Sequence, residues 1–170
     1  MKAILHCDKN WGIGKNNDLM FRLPRDMKFF RETTAGKVVV MGSNTLLSLP
    51  GGKPLKGRTN IVLWPDGDAE AAKAGGYVLV RSPGELLAEV KKYAPDDVFV
   101  IGGAMMYHTL LPYCSHVLLT KVDADGGAQA FFDDLDALPE WTLTSESEPM
   151  EDNGYTIRFC TYENGEVKGL

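Results

Sequence analysis

Val98-Phe99-Val100-Ile101-Gly102-Gly103-Ala104 is the stretch whose reading decides the architecture. Four apolar residues suit a buried strand, two glycines turn the chain without a Cβ in the way, and the segment from Ala104 to about Leu111 reads as a helix. A strand that enters a helix through such a turn aims free backbone N–H groups outward, toward an anion such as a diphosphate. A tight turn needing glycine only for backbone freedom explains the same residues, because the GxGxxG spacing is absent.

The pattern recurs upstream. Met41-Gly42-Ser43-Asn44-Thr45 follows the apolar run Val38–Met41 and precedes a helical stretch from Ser43 to about Leu49. Ser43 or Asn44 as a simple helix cap is the alternative reading here. Further apolar runs at Ile61–Leu63, Tyr77–Val80 and Val117–Thr120 alternate with helical stretches at Pro24 to about Thr34 and Pro83 to about Tyr93. Their continuity indicates strands covered on both faces, hence a largely parallel sheet. Two turns from parallel strands would then share one sheet edge, where open α/β folds bind ligands. Near the end, Trp141–Glu148 and Tyr155–Tyr162 flank Asp152-Asn153-Gly154, as in an antiparallel hairpin. The expected fold is α/β: one domain over residues 1–170, with a central, mostly parallel mixed sheet flanked by helices and a C-terminal antiparallel hairpin.

With 44% hydrophobic and 24% charged residues, the 170-residue chain is long enough and apolar enough for one packed core. A net charge of −5 gives no general attraction for nucleic acid or an anionic membrane, so an anionic ligand must be gripped locally. Cys7, Cys114 and Cys160 lack CxxC spacing, which favours free thiols in a reducing cytoplasm. Met1–Asp8 reads as a core strand without the apolar run of a signal peptide, and no segment approaches the roughly 20 apolar residues of a membrane span. His6, His108 and His116 share no metal-ligand spacing, and no serine or cysteine sits in a nucleophile elbow, so no metal is expected.

Asp26 is the most informative single residue. In Leu23-Pro24-Arg25-Asp26-Met27-Lys28-Phe29-Phe30, proline opens a helix and Leu23, Met27 and Phe30 form an apolar stripe beside the acid. Asp26 either complements the helix dipole from the first turn or stands as a carboxylate in an apolar cleft, able to bind a donor-rich heterocycle. Arg58, after Pro54-Leu55-Lys56-Gly57, is either a solvated surface residue or a clamp for a carboxylate.

From Ile4 to about Tyr162 these segments resemble bacterial dihydrofolate reductase. The likeness is carried by Asp8–Gly14 ending in Gly12-Ile13-Gly14, by Leu23–Phe30, by Val40-Met41-Gly42, by Pro54–Arg58, by Ile101-Gly102-Gly103 with Tyr107, and by Leu119-Thr120. The resemblance implies reduction of 7,8-dihydrofolate to tetrahydrofolate by hydride transfer from NADPH, with NADH as the alternative donor, in support of one-carbon metabolism. It implies that Asp26 binds the pterin, is linked to Thr120 and assists protonation of N5. Ile4, Leu5, His6, Met27, Phe30 and Ile101 would line the pterin pocket, Leu49 and Leu55 would pack on the aminobenzoyl ring, and Arg58 would hold the glutamate carboxylate. The nicotinamide would lie near His6, Ile13, Gly14 and Tyr107. The rest of the cofactor would follow Gly42, Ser43, Asn44 and Thr45, then Leu63, Trp64 and Arg81, and Gly102, Gly103, Ala104, Met105 and Met106. A cis peptide at the glycine pair and a mobile flap from Asp8 to Arg22 are further implications, as are antifolate-like ligands and a monomeric state.

Several positions depart from the family's pattern. Met20-Phe21 stands where proline-tryptophan is usual, and His6 where a small alanine is usual, so His6 either narrows the site or turns elsewhere. Ser43 replaces a common arginine and Trp64-Pro65 a small polar or basic pair, which removes contacts expected for a 2′-phosphate. Ala128-Gln129-Ala130 lies where glycine-aspartate-threonine commonly supports the flap. A ligand-binding homologue without turnover and the pyrimidine reductase of riboflavin synthesis are the competing readings, and the placement of Asp26 and Arg58 argues against the latter.

Overall fold

Strand and helix alternate from the helix at Pro24–Thr34 to the strand at His116–Val122 in the chain, described over residues 1–170 in a computed structural model. The strands are β1 (Lys2–Cys7), β2 (Gly12–Gly14), β3 (Val38–Gly42), β4 (Thr59–Leu63), β5 (Val78–Val80), β6 (Val98–Gly102), β7 (His116–Val122), β8 (Ala130–Phe131), β9 (Trp141–Glu146), β10 (Met150–Asp152) and β11 (Tyr155–Asn164). The helices are α1 (Pro24–Thr34), α2 (Ser43–Ser48), α3 (Ala69–Gly75), α4 (Pro83–Val90) and α5 (Ala104–Leu110).

One nine-stranded sheet runs β10-β11-β7-β1-β6-β3-β4-β5, with β9 also on β11. From β7 to β5 every pairing is parallel, and β11 is antiparallel to β7, β9 and β10. The mixed sheet expected from the sequence is therefore present. Its parallel half has valine-rich strands because both faces are covered: Val38 to Met41 are all buried, as are Val98 to Val100. The largest core cluster joins Ala3, Cys7, Val40, Ile61, Val100, Leu110, Val117 and Leu119, so the middle strands are locked to α4 and α5. Since β1, β3, β4, β5, β6 and β7 run the same way, the loops after them emerge on one edge.

Two readings change. The turn Asn153-Gly154 does reverse the chain, but it joins Tyr155–Asn164 to the short β10, and Trp141–Glu146 pairs farther along the same strand. The hairpin is a three-strand arrangement because the partner strand is interrupted at Ser147–Pro149. Helix α3 was not expected, although its signals are in the sequence: Asp68 accepts from the Glu70 N–H and Gly76 ends the helix with φ +80°.

Candidate active site

Asp26 sits in the first turn of α1, yet the task of complementing that helix end falls to another residue. Buried Asp152, from β10, accepts the backbone N–H groups of Arg25 at 3.1 Å and Asp26 at 3.2 Å. With the helix N-terminus already satisfied, the Asp26 carboxylate is free to face away from it. Oδ1 accepts the Thr120 hydroxyl at 2.6 Å, and Oδ2 lies 3.1 Å from Nδ1 of His6. Its side chain is 14% exposed, sheltered without being sealed. The dipole reading of Asp26 thus loses ground to the cleft reading.

The wall around this acid is unevenly covered. Leu23 is in a small core with Phe21, Val122 and Ile157, but Met27 is 40% exposed and Phe30 half-buried. Leu23, Met27 and Phe30 are therefore not one packed stripe, because only Leu23 of the three is in a core. Phe21 is buried edge-on to Tyr155 at 4.8 Å and lies 6.0 Å from the His6 ring. Ile4 and His6 are buried on the strand face toward α1, whereas Leu5 alternates to the opposite face and packs against the main core. Leu5 thus offers no side chain to the Asp26 side. Tyr107, also buried, donates its hydroxyl to the Ile4 carbonyl at 3.0 Å. Burial, with the Asp26 charge adding to it, pushes that phenol well above its ordinary value, so it stays neutral.

Farther along the cleft, Leu49, Leu55 and Ile101 pack together on Val39, Met41, Leu46 and Val62. Arg58 projects beside them. Its Nε donates to Thr34 Oγ1 at 2.9 Å and one terminal nitrogen to the Lys56 carbonyl at 2.8 Å, which leaves donors of the guanidinium fork unused. Partial burial and the charge of Arg31 both lower its pKa, so two cations sit together and an anion between them would be favoured.

The two glycine turns stand side by side because β3 and β6 are paired, with Met41 opposite Gly102. Neither α2 nor α5 has a side-chain cap, since their N-cap residues are Gly42 and Gly103, so Ser43 and Asn44 do not cap α2. The Gly102–Gly103 peptide is cis. Gly102 has φ +131°, a conformation that favours glycine, and a Cβ there would stand a tight 3.3 Å from Thr45 Oγ1 on the neighbouring turn. Of the residues placed on the second turn, Met106 is buried in the core and Met105 is exposed. Leu63 ends β4 and Trp64 follows it, both half-buried, and the exposed Arg81 gives one guanidinium donor to the Gly67 carbonyl at 2.8 Å.

Above this edge lies the Asp8–Arg22 loop. Its foot is built on Asp8, whose carboxylate accepts the N–H groups of Asn10 and Gly12 at 2.8 Å and of Gly126 at 3.0 Å. Short strand β2 pairs with β8, the Gln129 side chain accepts the Asn16 N–H at 2.9 Å, and Asn17 donates to the Asn44 carbonyl at 3.3 Å. Gly14 lies in β2 and Ile13 packs against the main core, so both belong to the stapled part of the loop.

The family model described as dihydrofolate reductase matches residues 1–164. The chain belongs to the dihydrofolate reductase family. It is 35% identical over 162 residues to the dihydrofolate reductase of Bacillus subtilis (strain 168), covering 94% of this chain and 92% of that one. To the dihydrofolate reductase of Enterococcus faecium it is 36% identical over 158 residues, with 92% of each chain covered. Among solved structures it is similar to the dihydrofolate reductase of Enterococcus faecalis complexed with NADP(H) and RAB-propyl, with a TM-score of 0.81, 33% identity, and coverage of 96% of this chain and 95% of that one.

Within this dihydrofolate reductase fold, the structure brings Asp26, Thr120 and His6 into contact, packs Leu49, Leu55 and Ile101 on one cluster, and ties Arg58 to Thr34 at the end of α1. It sets the Gly42–Thr45 and Gly102–Met106 turns at the neighbouring edge. Sequence reasoning missed the contact of His6 with Asp26, the helix cap by Asp152 and the Thr34 support of Arg58, all made by residues far apart in the chain. Asp8 carried a readable signal, since an aspartate two residues before Asn10 and four before Gly12 suits an Asx-type turn.

Proposed function

We propose that the chain reduces 7,8-dihydrofolate to tetrahydrofolate with NADPH as hydride donor. The observation that supports this most is the sheltered Asp26 carboxylate, released from helix capping by Asp152 and held by Thr120. The pterin's C=N bond takes a hydride on carbon and a proton on N5, so the protein must orient the ring and favour the N5 proton. A carboxylate with lone pairs left after its Thr120 and His6 contacts accepts two N–H donors from the edge of the ring, fixing its plane. Ile4, Phe30, Met27 and Ile101 would exclude water around it, Leu49 and Leu55 would face the aminobenzoyl ring, and Arg58 would clamp the terminal carboxylate through its unused donors.

The residues present fit a dinucleotide: two uncapped turns lie beside each other, and glycine at 102 keeps the space between them free of a side chain. Gly42–Thr45 and Gly102–Met106 would hold the phosphates, and the edge near His6, Ile13 and Gly14 the nicotinamide. NADPH supplies the hydride when bound. The stapled loop would then exclude water from the transfer.

We propose a monomer as the functional unit. Three free thiols suit a reducing cytoplasm, and no helix is long and apolar enough to cross a membrane.

Mixing the protein with dihydrofolate and NADPH should give a steady loss of nicotinamide absorbance, with tetrahydrofolate as product. Binding of both ligands without absorbance loss would overturn the proposal in favour of a non-catalytic homologue. The same assay with NADH should show a weaker preference for NADPH than the family pattern implies, because Ser43 and Trp64 supply no cation and the Arg81 guanidinium already bonds Gly67. A large, undiminished preference would refute that expectation.

A further inference from the structure

His6 brings a second ionisable ring to a site whose reaction needs only one acid. Strand pairing sets His6 directly opposite Thr120, so the two side chains that hold Asp26 come from one cross-strand pair, each taking a different carboxylate oxygen. The His6 side chain is 6% exposed, between Asp26 and the Phe21 ring. Its Nε2 is the one buried side-chain nitrogen or oxygen without a hydrogen-bond partner. An ionised carboxylate can only accept, so the proton of a neutral His6 must sit on Nδ1, which leaves Nε2 a bare acceptor. Buried acceptors in native proteins almost always find a donor, and no protein group supplies one here.

We infer that His6 is a positioning residue: through Nδ1–H it fixes the Asp26 carboxylate before substrate arrives, and Nε2, covered in the free chain, becomes an acceptor for an N–H donor of a bound ligand once docking uncovers it. Two donors on two oxygens lock the carboxylate plane, whereas Thr120 alone would leave it free to rotate about one bond. The subsite takes an amide-type or amidine-type N–H, a chemistry that both the pterin ring and a nicotinamide carboxamide carry. The ligand identities rest on the reductase reading, but the tautomer of His6 is a property of the free chain.

Two-bond proton–nitrogen correlation spectra of the nitrogen-15-labelled full chain read this directly, with His6 assigned by the resonance lost in His6→Asn. Near neutral pH the free protein should show Nδ1 protonated and Nε2 bare. Adding folate alone or NADP+ alone should then move the Nε2 resonance with one of the two, which names the source of the donor. An Nε2–H tautomer, an imidazolium, or an Nε2 resonance that neither ligand moves would overturn the inference.

Kinetics supply a second readout. His6→Asn keeps a donor near Nδ1 and loses the acceptor, so it should raise the KM or Kd of the identified ligand about threefold to tenfold with kcat little changed. His6→Gln places its amide near Nε2 and should lower kcat instead. Equal effects of the two variants, or effects that merely follow thermal stability, would refute a positioning role. If the wild type fails to turn over dihydrofolate, the reductase reading falls, while the spectra of the free chain still decide the His6 tautomer.

Discussion

Two sheltered aspartates, Asp8 at the foot of the loop and Asp26 in the cleft, show how the source of its hydrogen bonds decides what a carboxylate is for. Asp8, 3% exposed, accepts three backbone N–H groups, from Asn10, Gly12 and Gly126, and so ties the start of the loop to the segment at Gly126. Asp26 meets two side chains, His6 and Thr120, and keeps an open flank. Backbone donors cannot move without the fold, so the first acid is a staple. Side-chain donors leave lone pairs and access, so the second can receive a ligand.

The sharpest test of the contrast is Asp26→Asn. Turnover should fall by about 10² to 10⁴, the usual contribution of a positioned acid–base group, with the loss growing as pH rises and N5 of the substrate becomes harder to protonate. Thermal stability should change little. A pH profile of kcat/KM with the same shape as the wild type's would exclude the assigned role.

Asp8→Ala should do the opposite, costing about 2–4 kcal/mol of stability by leaving the buried Gly12 N–H and the part-buried N–H groups of Asn10 and Gly126 without this partner. Chemical denaturation measures it, and ligand binding at the Asp26 end should survive in the folded fraction. If instead stability holds and activity alone collapses, the division between staple and site is wrong.

Cys7 lies between the two regions, in sequence next to both His6 and Asp8, and burial raises its thiol to about 12, as it does that of Cys114. These thiols have folded pKa values above the ordinary 9.0, so their contribution is fully present below pH 9 and is lost as pH rises from there toward 12, where the unfolded chain releases protons first. Each should withdraw about 1 kcal/mol of stability at pH 10. Denaturation midpoints between pH 8 and pH 10.5 would show it, and native Cys7 and Cys114 should resist alkylation at pH 8.

The smallest effect belongs to Gln129→Ala. Losing the bond to the Asn16 N–H should cost about 0.5–1 kcal/mol or less, since the site is exposed. Its signature should appear in cofactor release rates rather than in the chemical step, and an unchanged release rate would show that the loop tip is not supported there.

Much of this was legible before any coordinates. The valine-rich runs announced strands covered on both faces, and the strand-glycine-helix turns at Gly42 and Gly102 announced two turns that the structure sets side by side. Asp26 stood out beside Leu23 and Phe30. Met27 misled, because helical spacing says which residues share a face and not whether the protein or a cleft covers it. Leu5 misled because strand alternation separates it from Ile4 and His6, though all three are neighbours in sequence.

By itself the sequence determined the α/β alternation, the shared edge of the two turns and the candidate acid, since periodicity and turn chemistry are local properties of the chain. Only the tertiary structure decided that Asp152 caps α1, that His6 and Thr120 divide Asp26 between them, and that Asp8 staples the loop. Those contacts join residues far apart along the chain, and a hydrogen bond depends on distances of a few tenths of an ångström that no spacing encodes.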